Sequence, residues 1–495
     1  MIHPAKTFLI TLSICSASYA FGQGSQNRQS VPSNPATGVS SNNGRPNILL
    51  IIADDLSKTL PLYGDNTITT PGMDGVAKDG VVFERAYCTA SSCTPSRASI
   101  LTGRYPHQLT EGGNLHGTLP LKYENYARIL AENGYRVGLQ GKGWGPGDFQ
   151  KGGYTENPAG KSYKSFENFM QNQPEDTPFC FWIGSHDPHR PYSPSLKTSL
   201  GIDSMKVKVP AWLPDSEVVH EDFLDYYAES KRFDQTIEKA IALLKEKGIY
   251  DRTLIVITSD NGMPFPRVKA NAYDRSTNMP LIMRWGGHFM KGKRTSEMVS
   301  FVDLAPTFLS AAGLEVPVSM QGRSLLPLLE TGKSQQPRTE IFSERERHAY
   351  VRTDNMGYPM RAIRTDRYLY INNLRPDRWP AGNPENLESN RFFGDIDDGG
   401  TKKLMVDNRD KPAYKKLSAW SLDKRPAEEL YDLEKDPDQL KNLAEDPSYA
   451  KVRQDLSARL MKWRKETKDP VTDTEEPFDN YPYYGIPKHP GKITH

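Results

Sequence analysis

The sequence predicts an α/β chain with a mostly parallel sheet sandwiched by helices, and three observations carry that prediction. Four apolar runs are short and nearly continuous: Asn47–Ala53, Tyr135–Gln140, Phe179–Gly184 and Thr253–Thr258. Runs of this kind are the mark of strands buried on both faces. Helical patterns intervene at Tyr123–Asn133 and Asp222–Lys247. Each run also ends in polar residues, and in open α/β sheets the ligand binds beyond the carboxyl ends of the strands. One shared site is therefore expected where the four ends meet.

Along the chain, residues 1–20 read as a secretory signal: Lys6, the apolar stretch Phe8–Ala17, then Ser18-Tyr19-Ala20 as a small-x-small cleavage site. Residues 21–45 carry too few apolar groups to fold and are expected to be a flexible leader. The catalytic domain is expected to run from 46 to 337. From about Arg338 the texture changes. Arg361–Asn372 alternates as a half-exposed strand, and Tyr449–Lys468 has the period of an amphipathic helix. Residues 338–495 are thus expected to form a smaller α+β domain that contributes to the substrate pocket.

The 495 residues suffice for two or three domains, and 37% hydrophobic with 25% charged residues is ordinary for a globular protein. A net charge of +2 excludes general nucleic-acid binding through bulk charge. No later segment has about 18 uninterrupted apolar residues, so no membrane span is expected. Beyond the signal the cysteines are Cys88, Cys93 and Cys180, too few for a disulfide framework. Cys88 and Cys180 could pair or remain as two buried thiols.

Cys93 opens the run Cys93-Thr94-Pro95-Ser96-Arg97. Thr94 is a candidate N-cap, Pro95 suits the first helical position, and Gly103 can end the helix. The thiol then sits at a helix N-terminus with Arg97 one turn on, where an anion is favoured and a cysteine pKa is lowered. Asp54-Asp55 and Asp260-Asn261 follow two different apolar runs and offer four hard oxygen ligands. Such a set suits Ca²⁺ or Mg²⁺ better than zinc. Singly, an acidic pair after a strand is usually a turn; two pairs at converging strand ends favour a cation between them.

The run Cys93-x-Pro95-x-Arg97 resembles the signature of the type I sulfatases, whose cysteine is oxidised to formylglycine by a maturation enzyme. Asp54-Asp55, Gly141-Lys142, Ser185-His186-Asp187-Pro188-His189 and Ser259-Asp260-Asn261-Gly262 also match that family. The resemblance implies an alkaline-phosphatase-like fold and one bound Ca²⁺, with Mg²⁺ as the substitute. It implies Asp54, Asp55, Cys93, Asp260 and Asn261 as the metal site, with a hydrated aldehyde at position 93 attacking sulfur. Arg97, Lys142, His186 and Lys269 would stabilise charge on the transferring group, His186 also protonating the leaving group.

Within the family the chain is most similar to the sulfamidases. That likeness is carried by Met263-Pro264-Phe265-Pro266, Tyr358-Pro359-Met360-Arg361, Tyr368–Leu374 and Lys462–Pro470. It implies removal of the N-sulfate of glucosamine in heparan sulfate or heparin. An O-sulfatase on another sulfated polysaccharide and a non-catalytic glycan-binding homologue are the alternatives. The implied partners are a sulfated glycosaminoglycan or oligosaccharide and the maturation enzyme, with a homodimer as the candidate assembly and a secreted or periplasmic location.

One departure stands out. Many sulfatases carry a histidine two residues after the Gly-Lys lysine, where this chain has Trp144. His189, His107 and His116 are candidate substitutes, and Trp144 could instead stack on a sugar. His189, His348 and Arg361 are further candidates for touching substrate, with Arg267 a lesser alternate to Lys269. Arg338–Arg378 is arginine-rich, which suits sulfate recognition or pairing with the interleaved acids.

Overall fold

The computed structural model describes residues 44–334, 336–385 and 392–485. The expected signal and nearly all of the leader lie outside them. In chain order the strands are β1 (Asn47–Ala53), β2 (Val81–Tyr87), β3 (Arg136–Gly141), β4 (Lys161–Ser162), β5 (Phe179–Gly184) and β6 (Thr253–Ser259). Then follow β7 (Asn278–Arg284), β8 (Lys293–Ser300), β9 (Glu340–Arg345), β10 (Met360–Thr365), β11 (Tyr368–Asn373) and β12 (Glu428–Asp432).

The first eight form one sheet in the order β4-β3-β5-β1-β6-β7-β2-β8. Strands β4, β3, β5, β1 and β6 are mutually parallel; β7 pairs antiparallel with both β6 and β2, and β2 pairs parallel with β8. All but β7 therefore point the same way. The four apolar runs are β1, β3, β5 and β6, side by side, as their patterning predicts.

Strand β1 shows why its sequence is apolar without alternation. Ile48, Leu50 and Ile52 enter one core, and Leu49, Ile51 and Ala53 enter the core on the opposite face. Each side chain is withdrawn from water, with about 1.5–3 kcal/mol for a fully buried Leu or Ile. The helix Glu217–Glu246 covers the second face through Phe223, Tyr227, Phe233 and Ile237. On the first face lie the helices Cys93–Thr102 and Leu304–Ala311.

Strands β9–β12 make a second, antiparallel sheet. The stretch Arg361–Asn372, expected as one strand, is a hairpin: β10 and β11 pair antiparallel about Asp366-Arg367. Alternation alone continues through a tight turn, which is why the break was not legible. The expected C-terminal helix is Ala450–Glu466, and its Leu456, Leu460 and Trp463 pack with Ile363, Tyr370 and Leu430. The opposite side of the sheet, through Ala362, Leu369 and Ile371, meets Ala272 and Tyr273 of the segment after β6. No described helix is long and apolar enough to cross a membrane.

Candidate active site

Cys93 is the first residue of a ten-residue helix, every one of them buried. The helix begins earlier than the local signals suggest: Ser92 occupies the N-cap position and Pro95 lies inside the first turn. That costs nothing, because the first four N–H groups of a helix have no intrahelical acceptor. Thr94 does not cap; its hydroxyl donates to the Pro146 carbonyl. Gly103 ends the helix as expected, at φ 63°, its N–H donating to Ser99 O. Polar side chains in so buried a helix need partners. Ser96 Oγ donates to Asp260 O at 2.6 Å, and Thr102 Oγ1 to Ala98 O at 2.8 Å.

Four strand ends converge on this helix. After β1, Asp54 is buried, and Asp55 turns through a left-handed φ of 71°, which aspartate tolerates better than most residues. After β3, Lys142 Nζ donates to Asp54 Oδ1 and Oδ2 at 2.7 and 2.6 Å. Strand ends β3 and β5 can approach this closely because Gly141 and Gly184 face each other; a Cβ on Gly184 would lie 1.7 Å from Lys142 O. After β6, Asp260 accepts from Asp55 N at 3.1 Å and from Arg97 Nε at 2.7 Å. Asn261 Nδ2 donates to Asp55 Oδ1 at 2.6 Å. Lys269 Nζ donates to Asp55 Oδ2 at 2.7 Å.

The Cys93 thiol lies 3.4 Å from Asp54 Oδ1. Burial pushes this thiol well above the ordinary cysteine range, and Lys142 offsets only part of that. The expected lowering at the helix N-terminus is thus corrected: desolvation outweighs the dipole. Burial also acts on Asp54, yet Lys142, His189, Arg97 and Lys269 together hold its carboxyl well below the usual range. Burial pushes Asp55 up to about 6 against the pull of Lys269.

Asp54, Cys93 and Asp260 each offer a ligand atom, all within 4.8 Å of one another. Asn261 Oδ1 is buried without a hydrogen-bond partner among the described residues. Hard oxygens around an orphaned amide oxygen fit a divalent cation such as Ca²⁺ or Mg²⁺.

The remaining expected residues fall in two groups. His186 is exposed, near enough to Asp54, Lys142 and Arg97 to feel their charges; burial lowers its pKa and Asp54 works against that. His189 places Nε2 3.8 Å from Asp55 Oδ2 while its Nδ1 meets Arg190 O. His348 is buried, its Nδ1 2.8 Å from Ser92 Oγ, beside Cys93. His116 feels Lys142, whereas His107 lies away from this group, its Nδ1 2.6 Å from Glu344 Oε2.

Trp144 and Arg361 are different. Trp144 is 3% exposed and sits in the core, so it has no free face for a sugar. Arg361 is 0% exposed and pairs with Glu346 at 2.6 Å and Asp469 at 2.8 Å. Its neighbours are likewise engaged: Arg345 and Arg352 with Asp395, Arg364 with Asp274, Arg378 with Asp479. The arginines of this region pair inside the protein, mostly with acids distant in sequence. Arg267 donates to the carbonyls of Trp420 and Gln439.

Sequence reasoning missed Asp397, which accepts from Lys269 at 2.9 Å and groups with Asp55 and His189. Its only signal was the acidic run Asp395-Ile396-Asp397-Asp398, which follows no strand. Cys88, Cys93 and Cys180 are all buried free thiols, settling the alternatives left open for Cys88 and Cys180.

Residues 46–314 match the sulfatase family, and residues 268–381 match the family described as N-sulphoglucosamine sulphohydrolase, C-terminal. Human N-sulphoglucosamine sulphohydrolase is 30% identical over 477 residues, which cover 86% of this chain and 91% of that protein. An ulvan-active sulfatase of Formosa agariphila is 27% identical, over 85% of this chain and 74% of its own length. A protein solved in complex with its substrate D-glucosamine-2-N,6-O-disulfate has the same fold, with a TM-score of 0.65 at 22% identity. That match covers 87% of this chain and all of the other. Fold and site together define a hydrolase of the alkaline-phosphatase-like α/β class. The chain belongs to the sulfatase family, whose members cleave sulfate esters or N-sulfates.

Proposed function

We propose that this sulfatase removes sulfate from glycans, with the N-sulfate of glucosamine in a heparan-type chain as its substrate. The observation that carries the reading is the convergence of Cys93, Asp54, Lys142 and Asp260 at adjoining strand ends, in a chain whose residues 268–381 match the family described as N-sulphoglucosamine sulphohydrolase, C-terminal. The 30% relative that bears the N-sulphoglucosamine name supports the substrate class.

Asp54, Asp55, Asp260 and Asn261, with residue 93, would hold one Ca²⁺ or Mg²⁺. Such an ion draws charge from a bound sulfuryl group. Conversion of Cys93 to formylglycine by a maturation enzyme would supply a hydroxyl nucleophile in place of the thiol. Arg97 positions the site: Nε holds Asp260, and Nη1 binds the carbonyls of Lys142 and Gly143 at 2.8 and 3.1 Å. Lys142 and Lys269 present fixed positive charge to the sulfate oxygens, worth most where water is excluded. His186, exposed at this end of the sheet, gives a proton to the departing amine. His189 and Asp397 group with Asp55 beside these residues.

The segments 46–337 and 338–495 act as a catalytic and a smaller pocket-forming domain. The signal pattern at 1–20 supports a secreted or periplasmic enzyme, and a homodimer is its proposed assembly. The O-sulfatase reading has one observation in its favour, the 27% match to the ulvan-active sulfatase. The non-catalytic reading rested on Trp144 and loses that support with the ring buried. Comparing turnover of N-sulfoglucosamine with that of a glucosamine bearing only a 6-O-sulfate decides between the two activities. Faster release from the N-sulfate supports the proposal; release from the ester alone contradicts it.

A further inference from the structure

A sugar-stacking role falls vacant when Trp144 proves to be buried, and aromatic rings stand elsewhere beside the site. The last described segment, 477–485, is strapped onto the protein. Asn114 Nδ2 donates to Phe478 O at 2.9 Å, Gly357 N to Asp479 Oδ1 at 2.6 Å, and Arg378 pairs with Asp479 at 2.8 Å. Arg347 donates to the carbonyls of Tyr481 and Pro482, each at 2.9 Å, and Tyr484 N donates to His116 O at 2.8 Å.

These bonds deliver Tyr483 to a defined place. Its ring centroid is 5.0 Å from that of His116 and 5.6 Å from that of Tyr350. All three rings are half-buried. Gly485 makes room for the Tyr483 ring, since a Cβ there would lie 2.5 Å from Tyr483 Cε1.

The cluster adjoins the catalytic residues by two routes. His116 N donates to Pro146 O at 3.2 Å, the same carbonyl that accepts from Thr94, next to Cys93. Tyr350 lies two residues after His348, which holds Ser92 on the other side of Cys93. Both routes are short, one through the Pro146 carbonyl and one through the buried His348–Ser92 contact, so the rings are placed close to residue 93 in the fold.

We propose that Tyr483 and Tyr350, with His116 between Tyr483 and the site, form the wall that binds the sugar ring adjoining the sulfated one. Rigid aromatic rings present an apolar face to the C–H side of a pyranose. The C-terminal strap would then select oligosaccharides over single sugars without touching the reacting atoms.

This inference rests on the glycan reading above, and its test separates the two. Wild type, Tyr483→Ala, Tyr350→Ala and Tyr483→Phe are assayed on monosaccharide N-sulfoglucosamine and on an N-sulfated heparan tetrasaccharide. The wall predicts a KM for the tetrasaccharide raised about tenfold in either alanine variant, about the size of one stacking contact, with kcat unchanged. Monosaccharide kinetics stay at the wild-type level, and Tyr483→Phe restores most of the affinity. Equal losses on both substrates, or none on either, overturn it. If the wild type turns over neither substrate, the glycan reading fails. Calorimetric binding of the tetrasaccharide to wild type and Tyr483→Ala then decides: weaker binding by the variant keeps the wall, equal binding removes it.

Discussion

Lys142 Nζ lies 2.7 and 2.6 Å from the two carboxylate oxygens of Asp54, a two-point contact joining the ends of β3 and β1. It orders the site, because Asp54 Oδ1 also lies 3.4 Å from the Cys93 thiol. Under the proposed function Lys142 also faces the reacting sulfate, so in Lys142→Ala kcat should fall by about 10²–10³. The substitution also leaves Asp54 with Arg97 at 3.6 Å as its nearest remaining cation, so the melting temperature falls too. Steady-state kinetics with calorimetry on the same sample check both; unchanged kcat would remove Lys142 from the chemistry.

Removing the proposed cation should act on stability as well as on rate. Asp54, Asp55 and Asp260 are buried acids that a divalent ion would compensate. A chelator is expected to abolish turnover and lower the melting temperature. Calcium at about a hundredfold excess over its Kd should restore roughly 2.7 kcal/mol. Asp260→Asn should lose most of this response. A melting temperature indifferent to chelator and calcium would contradict the assignment.

Arg361 stands in a buried ion-pair group with Glu346 and Asp469, within 3.6 Å of Glu344 as well. Arg361→Ala strands the buried Glu346, while Asp469 keeps Arg464 at 2.6 Å and Glu344 keeps His107 at 2.6 Å, and a loss of about 3–5 kcal/mol is expected. The kcat per folded molecule should stay near the wild type. A normal melting temperature with a raised KM would instead return Arg361 to the substrate.

Glu476 gives the folded protein a pH dependence of its own. Burial, followed by the charge of Asp479, raises its carboxyl from the ordinary 4.5 to about 7, against the pull of Arg361, Arg375 and Arg378. Burial also raises the nearby Glu346 well above its ordinary value. Folding therefore keeps a proton on Glu476 that the unfolded chain loses, so stability declines as pH climbs from 4.5 towards 7. With solvent screening the effect is on the order of 1–2 kcal/mol. Glu476→Gln should flatten this decline in thermal melts across the same range; an unchanged slope would assign it to other groups.

The central sheet and the inner part of the site were legible because each depends on one local rule. Strands buried on both faces must be apolar throughout, so β1, β3, β5 and β6 announced themselves, and ligands gather at their carboxyl ends. The residues that follow those strands, Asp54, Lys142, His186 and Asp260, do lie near one another. What stayed hidden depends on contacts between distant segments. Asp397 reaches Lys269 across 128 positions, and Arg361 finds Asp469 across 108. Nothing local distinguishes Trp144 in the core from a ring open to a sugar, nor Arg361 paired from Arg361 free.

The most direct measurement is mass spectrometry of the tryptic peptide Ala86–Arg97 from active protein made in its native host, with sulfate release followed on the same preparation. The account predicts that residue 93 carries an aldehyde in place of the thiol, in step with specific activity. Full activity in protein whose Cys93 is an intact thiol would contradict it.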